Sequence, residues 1–354
     1  MRAARFYNQG DIRVEEVPEP RLSDGKVLVD VEWCGICGSD LHDFTMGPFM
    51  LPTKPHRVTG ETIPLAQGHE FCGRVRNPPD GSKLKDGEAV MVDPRMLCRE
   101  CMACKSGKTA CCQRLGYIGG ATNGGYAERV VVEERSLYPL GNIPLEYAAV
   151  IEPLAVVHHA VKESAIQDWN DKSVLVLGGG PIGFALVLLL RAHGASNITV
   201  SEPASIRREQ VAEFAKNVIN PINENVGDVC RSFTNGKGVD VVFDCAGVPI
   251  ALEAGFDALG FGGLFIEVAV WEKPMTIPSL KLLAKHITLK GVFIFNTEDF
   301  QEVMQWMAEG RIKGYEKMVT ARIGLDDIVD KGFKELVNNK DSHIKILVNP
   351  RLKE

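Results

Sequence analysis

The 354-residue sequence lacks several features that would place it in a specialised class of protein. No apolar run reaches the ~18 residues that span a bilayer, and the run 184–190 is cut off by Arg191. The first residues contain no hydrophobic segment, so we expect no secretory signal. The net charge of -6 gives no electrostatic reason to bind nucleic acid or an anionic membrane. We therefore expect a cytoplasmic protein without nucleic-acid or membrane partners.

What the sequence does have is the size and composition of a two-domain globular protein. Its length exceeds what one hydrophobic core usually supports. The 45% of hydrophobic and 24% of charged residues are ordinary for such proteins. Ten cysteines without an export signal indicate metal ligands and free thiols rather than disulfides.

Four cysteines lie within fifteen residues, with the spacing C-x2-C-x2-C-x7-C. They are Cys98, Cys101, Cys104 and Cys112. Short loops that bring four thiolates to one point suit a tetrahedral zinc with no open coordination position. The spacing therefore predicts a structural zinc, and any catalytic site must lie elsewhere in the chain.

The hydrophobic pattern changes along the chain. Residues 1–150 contain short alternating runs broken by Gly and Pro, which predict antiparallel β structure. Segment 146–161 predicts a helix. From residue 173 onwards, buried strands alternate with helical stretches, which indicates a parallel sheet with helices on both faces. The predicted strands are 174–177, 198–201, 239–243, 264–268 and 287–295, followed by a helix at 298–309 and a last strand at 344–348.

The first of these parallel strands leads directly into a glycine-rich turn and an apolar helix. This strand–turn–helix context makes G-x-G-x-x-G a predictor of dinucleotide binding at the cofactor pyrophosphate. The residues of this turn are Gly178, Gly180, Pro181, Ile182 and Gly183.

Glu202 ends the next strand, where an acid meets the adenosine ribose and favours NAD over NADP. Arg207 and Arg208 lie close by, and because arginine suits a phosphate they leave NADP open.

A second metal motif has mixed ligands. Cys37 and the pair His69–Glu70 offer sulfur, nitrogen and oxygen donors. A catalytic zinc typically has three protein ligands and keeps the fourth position for water or substrate.

These motifs, in this order, resemble those of the zinc-dependent medium-chain alcohol dehydrogenases, and the resemblance covers essentially the whole chain. The Glu152-Pro-Leu segment is similar to that of the sorbitol and 2,3-butanediol group, and segment 55–60 to the (R,R)-butanediol subgroup. The resemblance implies an α/β fold with two domains. A GroES-like, β-rich catalytic domain would comprise 1–153 and 296–354, and a Rossmann domain with a doubly wound parallel sheet would comprise 154–295.

The resemblance also implies roles for individual residues. Catalytic zinc would lie at Cys37 and His69, with Glu70 and Glu152 as candidate acids, and which acid binds directly stays open. In the four-cysteine loop the family spacing favours Cys112 over Cys111. Ser39 and His42 would relay a proton, and Lys345 would contact the cofactor pyrophosphate.

The activity implied is NAD- and zinc-dependent interconversion of a vicinal diol or secondary alcohol and its hydroxyketone or ketone, foremost 2,3-butanediol and acetoin or diacetyl. Two zinc ions per chain and a homodimer or homotetramer are expected. Oxidation of sorbitol, xylitol or L-threonine is the alternative within the family. A non-catalytic relative is disfavoured, because it would be expected to lack the set Cys37, His69 and Glu152.

Overall fold

A computed structural model describes residues 1–352 of the chain. The strands, in chain order, are β1 Arg2–Asn8, β2 Asp11–Glu16, β3 Lys26–Gly35, β4 Leu65–Ala66, β5 Glu70–Arg76, β6 Ala89–Val92, β7 Arg95–Met96, β8 Gly116–Tyr117, β9 Arg129–Glu133, β10 Leu137–Pro139, β11 Ser173–Leu177, β12 Asn197–Ser201, β13 Asn217–Ile219, β14 Val239–Asp244, β15 Leu259–Glu267, β16 Thr288–Gly291, β17 Val319–Gly324 and β18 Lys345–Asn349.

The helices fall between these strands. They are α1 Gly38–Met46, α2 Met102–Lys105, α3 Ile151–Glu163, α4 Pro181–Ala192, α5 Ser205–Ala212, α6 Val226–Phe233, α7 Pro249–Ala258, α8 Ser279–Ala284, α9 Thr297–Ala308 and α10 Lys334–Asn338. Short 3₁₀ turns occupy Thr109–Cys111, Glu134–Ser136, Leu145–Val150, Tyr315–Met318, Leu325–Asp327 and Lys340–Ser342, and Ile328–Phe333 forms a π-helical turn. Across residues 1–352 there is no helix with both the length and the apolar character needed to cross a membrane.

The chain divides into two compact units. The first unit comprises Met1–Glu152, Asn296–Glu309 and Val319–Glu354, and the second comprises Pro153–Phe295 and Gly310–Met318. The predicted domain bounds differ from this division chiefly in the segment Gly310–Met318. That segment was predicted to belong with 296–354, and it lies in the second unit.

The first unit is built on β-structure. Its main sheet has seven strands in the order β10-β6-β5-β3-β18-β17, with β9 also paired to β3. A three-stranded sheet, β2-β1-β4, and the small pair β7-β8 complete it. Alternate residues of β3, such as Val27, Val29 and Val31, are fully buried and contribute to one hydrophobic core. The alternation that predicted β structure therefore reflects burial of one face of each strand.

The second unit contains a six-stranded sheet in the order β13-β12-β11-β14-β15-β16. Every pairing in it is parallel. Numbered from β11, this is the order 3-2-1-4-5-6 of the Rossmann fold, with the reversal of strand order between β11 and β14. The prediction of a doubly wound parallel sheet is thus confirmed.

Individual elements depart from the sequence-based expectations in their bounds. The helix predicted at 146–161 begins with the 3₁₀ turn Leu145–Val150 before it becomes α3. The strand predicted at 287–295 ends at Gly291. Strands β13 and β17 and helix α1 were not predicted.

Candidate metal centres and cofactor site

Three donor groups from two segments of the first unit meet in one place. The ligand atoms of Cys37, His69 and Glu70 all lie within 4.8 Å of one another. Cys37 is the residue before α1, and His69 lies between the turn at Gly68 and the start of β5. The turn requires glycine: Gly68 has φ +92°, and a Cβ there would lie 2.6 Å from the sulfur of Cys34. The structure thus brings together the sulfur, nitrogen and oxygen donors of the predicted catalytic site.

The approach of Glu70 depends on the strand opposite. In the antiparallel ladder of β3 and β5, Glu70 faces Gly35. A Cβ on Gly35 would collide with Oε2 of Glu70, so the absence of a side chain gives the carboxylate its room. Sequence reasoning missed Gly35, because its role follows from the strand register.

Glu70 also has a buried cationic partner. Lys345 donates from Nζ to Oε1 of Glu70 over 2.7 Å and to the carbonyl oxygen of Ile36 over 3.2 Å. The two side chains are 2% and 1% exposed. Burial lowers the pKa of Lys345, but the nearby carboxylate of Glu70 and sulfur of Cys37 outweigh it, so the pKa is raised overall. The prediction that Lys345 contacts a cofactor stays a prediction, and the contact with Glu70 is one that it did not include.

Asp40 supports the other two donors. Its Oδ2 accepts hydrogen bonds from the backbone N–H of Cys37 over 3.1 Å and from the Tyr126 hydroxyl over 2.7 Å. Its Oδ1 lies 3.7 Å from Nδ1 of His69. Metal-bound histidines usually turn their second nitrogen toward such a carboxylate. Asp40 was not singled out from the sequence, although its position three residues after Cys37 is that of a capping box, and the structure shows one.

The electrostatics of the cluster favour a cation. Burial lowers the pKa of His69, yet the sulfur of Cys37 and the carboxylate of Asp40 together raise it well above its ordinary value. Oε2 of Glu70 is buried without a hydrogen-bond partner in the described residues. Unpaired buried polar atoms are costly, and a negative field that attracts a proton also attracts a metal ion. The donor set therefore fits zinc.

Glu152 lies near this cluster without belonging to the close group of three. It is in the first turn of α3 and is 7% exposed. Burial raises its pKa to about 7, with His69 opposing and Glu70 adding to the shift. Of the two candidate acids, Glu70 is the one whose oxygen lies within 4.8 Å of the donors of Cys37 and His69.

Helix α1 carries the two residues predicted to relay a proton. Ser39 is in its first turn and His42 lies one turn further along, both partly exposed. The ring of His42 lies 5.9 Å from that of Phe49. Tyr117, which sequence reasoning missed, packs its ring edge-on against His69 with 5.4 Å between centroids.

The four-cysteine loop forms the second donor cluster. The sulfurs of Cys98, Cys101, Cys104 and Cys112 all lie within 4.8 Å of one another. Backbone N–H groups point at them: that of Cys101 donates to the sulfur of Cys98 over 3.4 Å, and that of Cys104 to the sulfur of Cys101 over 3.5 Å. Cys111 is exposed and its sulfur is not in the group.

These sulfurs are arranged to be thiolates around a cation. The backbone N–H of Cys101 helps lower the pKa of Cys98 to about 6, while burial and the neighbouring sulfurs raise the pKa of Cys104 to about 12. The pKa values of these neighbouring thiols move apart in the absence of a positive charge, because the thiols cannot all ionise together. A zinc ion would remove that conflict, so the donor set fits a structural zinc.

The glycine turn of the second unit joins β11 to α4. Gly178 has φ +92°, and a Cβ on Gly183 would collide with the carbonyl oxygen of Gly178. Gly180 precedes α4, Pro181 is its first residue, and no side chain caps the helix. Its N-terminal N–H groups therefore point into the turn, which suits a pyrophosphate. Ile182 lies in the first turn of the same helix.

Glu202 is fixed beside this turn. Its carboxylate accepts hydrogen bonds from the backbone N–H of Gly179 over 2.6 Å and of Ala204 over 2.8 Å. Arg207, on α5, has its guanidinium Nη1 3.4 Å from where a Cβ on Gly180 would lie. The structure thus brings an acid and a guanidinium to the same turn.

Comparison with known proteins identifies the family of this chain. Residues 23–142 match the alcohol dehydrogenase GroES-like domain, and residues 181–309 match the zinc-binding dehydrogenase domain. An (R,R)-butanediol dehydrogenase from Neisseria gonorrhoeae is 36% identical over 99% of this chain and 100% of its own length. The chain belongs to the zinc-binding alcohol dehydrogenase family. A Saccharomyces cerevisiae (R,R)-butanediol dehydrogenase is also 36% identical to this dehydrogenase, over 99% of this chain and 98% of its own length.

Solved structures agree with this family. The crystal structure of 2R,3R-butanediol dehydrogenase from Bacillus subtilis matches this dehydrogenase with a TM-score of 0.90 and 35% identity, covering 99% of each chain. Two further relatives were solved with a cofactor. A Sinorhizobium meliloti zinc-binding dehydrogenase bound to NADP is 29% identical with a TM-score of 0.82, and an Escherichia coli alcohol dehydrogenase with NADH is 25% identical with a TM-score of 0.86; each match covers 99% of both chains. Family membership thus confirms the resemblance drawn from the motifs and makes the chain an alcohol dehydrogenase.

Proposed function

We propose that this dehydrogenase interconverts a vicinal diol and its hydroxyketone, foremost 2,3-butanediol and acetoin or diacetyl, with NAD as cofactor. One observation carries the proposal. Relatives named butanediol dehydrogenase match the whole chain at 36% identity, and the chain has the mixed donor cluster Cys37, His69 and Glu70 that the chemistry needs.

The zinc proposal assigns two ions per chain. Cys37, His69 and Glu70 would hold the catalytic ion, and the four-cysteine loop would hold the structural ion. A bound zinc would supply a Lewis acid and a bound nicotinamide a hydride acceptor. Glu152 would act on this cluster as a buried acid: its charge is near enough to help raise the pKa of His69.

The chain itself would hold and move the proton. The Ser39 hydroxyl would accept the proton of the substrate hydroxyl and release its own proton towards His42, one turn further along α1, which would pass a proton on to solvent. Both side chains are partly exposed, which suits a path that must end in water. An imidazole ring has two nitrogens and can therefore accept a proton at one and release a proton from the other.

The choice of NAD rests on Glu202. Gly179 and Ala204 hold its carboxylate in place, and in a Rossmann domain an acid at the end of this strand would face the ribose 2′-hydroxyl. That carboxylate would repel a 2′-phosphate. Arg207 is the residue that favours NADP, since its guanidinium lies against the glycine turn and suits a phosphate.

We further infer a cytoplasmic homodimer or homotetramer. The second unit exposes large apolar side chains on α7, α8 and β15, which are Ile250, Phe261, Leu280 and Leu283, between 66% and 86% exposed. Exposed apolar groups of this size favour contact with a second copy. Light scattering behind size exclusion should give a dimer or tetramer, and Phe261→Ser should shift it toward smaller species. A monomeric wild-type protein would contradict this part.

The test is formation of NADH by the purified protein with each stereoisomer of 2,3-butanediol, run beside sorbitol, xylitol and L-threonine. We expect the highest kcat/KM for one butanediol isomer and at least tenfold lower values for the other substrates. Turnover with NADP tenfold above that with NAD would overturn the cofactor. Elemental analysis should give about two zinc per chain. No activity on any diol would refute the substrate class.

Oxidation of sorbitol, xylitol or L-threonine is the second candidate. It shares the donor cluster and the cofactor turn, and an L-threonine 3-dehydrogenase is 32% identical over 81% of this chain. The same substrate panel distinguishes the two candidate functions, because they differ in substrate and share the same type of reaction.

A further inference from the structure

Two acidic side chains of the second unit end neighbouring strands. Asp244 is the last residue of β14 and Glu267 the last residue of β15, and they are partners in the strand register. Asp244 is completely buried and Glu267 is partly buried. They thus lie side by side at the carboxyl edge of the parallel sheet, the edge at which such sheets bind ligands.

Each carboxyl group uses one oxygen to hold the turn that follows its strand. Oδ1 of Asp244 accepts from the backbone N–H groups of Ala246 over 2.8 Å and Gly247 over 3.1 Å. Oε1 of Glu267 accepts from the N–H of Ala269 over 2.9 Å. One acid therefore fixes turn 245–247 and the other fixes turn 268–271.

The second carboxylate oxygen of each acid has no basic side chain as a partner. Oδ2 of Asp244 and Oε2 of Glu267 are buried with no hydrogen-bond partner among the described residues. Within residues 1–352, neither acid forms a hydrogen bond or ion pair with a lysine, arginine or histidine. The other polar groups that face them are the partly buried thiol of Cys245, whose pKa is raised by burial and by the two acids, and the indole of Trp271.

Two neighbouring carboxylates whose second oxygens are both buried cannot both be charged. Burial raises the pKa of Asp244. Burial and the charge of Asp244 raise the pKa of Glu267 to about 8. A single proton between the two second oxygens would satisfy both, since a protonated carboxyl donates where an ionised one accepts.

The turns that these acids hold pack on each other and on the glycine turn. A Cβ on Gly247, which has φ +65°, would lie 3.0 Å from Cβ of Ala269, so the two turns are in contact. A Cβ on Gly178 would lie 3.4 Å from Cβ and from the backbone N of Ala246. A shift of turn 245–247 would therefore reach Gly178 directly.

We propose that Asp244 and Glu267 share one proton and that this acid pair positions the cofactor turn at Gly178. The proposal rests on the proposed function in one respect, that the glycine turn binds the dinucleotide. The two acids are positioning residues, since they act on the cofactor through turns 245–247 and 268–271. Loss of the proton leaves two buried like charges, which push these turns apart.

The direction of the pH dependence follows from this arrangement. The protonated pair is the form that binds cofactor, so affinity is full below the pKa of the pair and falls as the pH rises through it. One linked proton changes the dissociation constant by up to tenfold per pH unit. We expect the Kd for NADH to rise by about tenfold or more between pH 7 and pH 9.5.

The experiment measures that Kd by calorimetric titration across this pH range. The variants are Glu267→Gln and, as a matched control, Asp171→Asn, which alters an exposed acid of the same unit. The amide of Glu267→Gln donates to Asp244 as the shared proton did. It should bind NADH at pH 7 within about threefold of wild type and keep that affinity at pH 9.5, while Asp171→Asn follows the wild type. An equal rise in Kd for wild type and Glu267→Gln, or no rise in the wild type, overturns the proposal.

A second readout does not depend on the cofactor. Infrared difference spectra of the wild-type protein between pH 7 and pH 10 should show loss of a protonated carboxylic acid band near the pKa of the pair, separate from any loss due to Glu152, whose pKa is about 7, and that component should be missing from both Glu267→Gln and Asp244→Asn. Its absence from the wild type excludes the shared proton even where NADH binds. A wild type that shows the band and binds no NADH at any pH instead refutes the proposed cofactor, and with it the positioning role.

Discussion

The two candidate metal centres of this dehydrogenase are built in opposite ways. The four-cysteine loop draws all of its donors from fifteen consecutive residues, and its sulfurs accept hydrogen bonds from the loop's own backbone. The other cluster draws Cys37 from the start of a helix and His69 and Glu70 from the start of a strand. The first centre depends on local chain geometry, and the second depends on the packed sheet around it.

We propose that this difference separates the centre that stabilises the fold from the centre that carries out the reaction. A closed set of four thiolates leaves no position for a substrate, whereas three mixed donors do. The mixed cluster is in turn held by groups that bind no metal themselves. Asp40 supports Cys37 and His69, and Lys345 supports Glu70. Four substitutions test whether the two centres are separate in function.

The largest effect is expected from Cys37→Ala. Removing one of three donors should abolish zinc binding at this cluster and lower kcat/KM by ~10³-fold or more, because the Lewis acid contributes several kcal/mol. The four-cysteine loop should keep its ion, so elemental analysis should fall from about two zinc per chain to about one. A variant with one zinc and near-wild-type turnover would show that the chemistry lies elsewhere.

Cys101→Ser should act on stability first. Loss of the structural ion should lower the melting temperature by about 10 °C, since ion binding to the folded state contributes several kcal/mol of stability. Turnover per folded, zinc-containing molecule should stay within about threefold of wild type. Thermal unfolding and an active-site zinc titration measure the two quantities. A well-folded Cys101→Ser protein that had lost only turnover would contradict the division between the centres.

Gly35→Ala should harm only the mixed cluster. Its new methyl group would occupy the space of the Glu70 carboxylate, and we expect kcat/KM to fall by ~10²-fold through displacement of that ligand. Gly38→Ala is the matched control, since a Cβ there meets nothing within 4 Å. Steady-state kinetics and the zinc content of both variants test this. Equal activity of the two variants would show that the position of the Glu70 carboxylate does not affect turnover.

The smallest effect is expected from Asp40→Asn. The amide keeps a hydrogen-bonding oxygen near the backbone of Cys37 but removes the charge beside Nδ1 of His69. Loss of such a supporting carboxylate typically costs 10- to 100-fold in metal affinity or activity, and we expect ~10-fold in zinc affinity here. Competition with a chelator measures it. The affinity of the four-cysteine loop should not change, and a change there would mean that the two centres are coupled.

The sequence was a good guide wherever function is encoded locally. The spacing of the four cysteines and the strand–glycine turn–helix pattern at Gly178 each fall within one short segment, and the fold class and family that they indicated are confirmed. The roles of Ser39, His42, Glu202 and the metal donors stay predictions with a consistent geometry. Asp40 carried only the weak signal of its capping-box spacing from Cys37. Gly35 and the pairing of Asp244 with Glu267 could not be found in this way, because both follow from strand register.

By itself, the sequence determined which chemical groups are available. Four cysteines within fifteen residues can bring their sulfurs to one point through a short loop, and a glycine turn between a buried strand and an apolar helix can present backbone N–H groups. Only the tertiary structure decided which distant groups become neighbours. Glu70 faces Gly35 through the register of β3 and β5, and Lys345 reaches Glu70 across 275 residues of chain. The reason is physical: a shift of one residue in register turns every side chain to the other face, and one sequence read in order does not set that register.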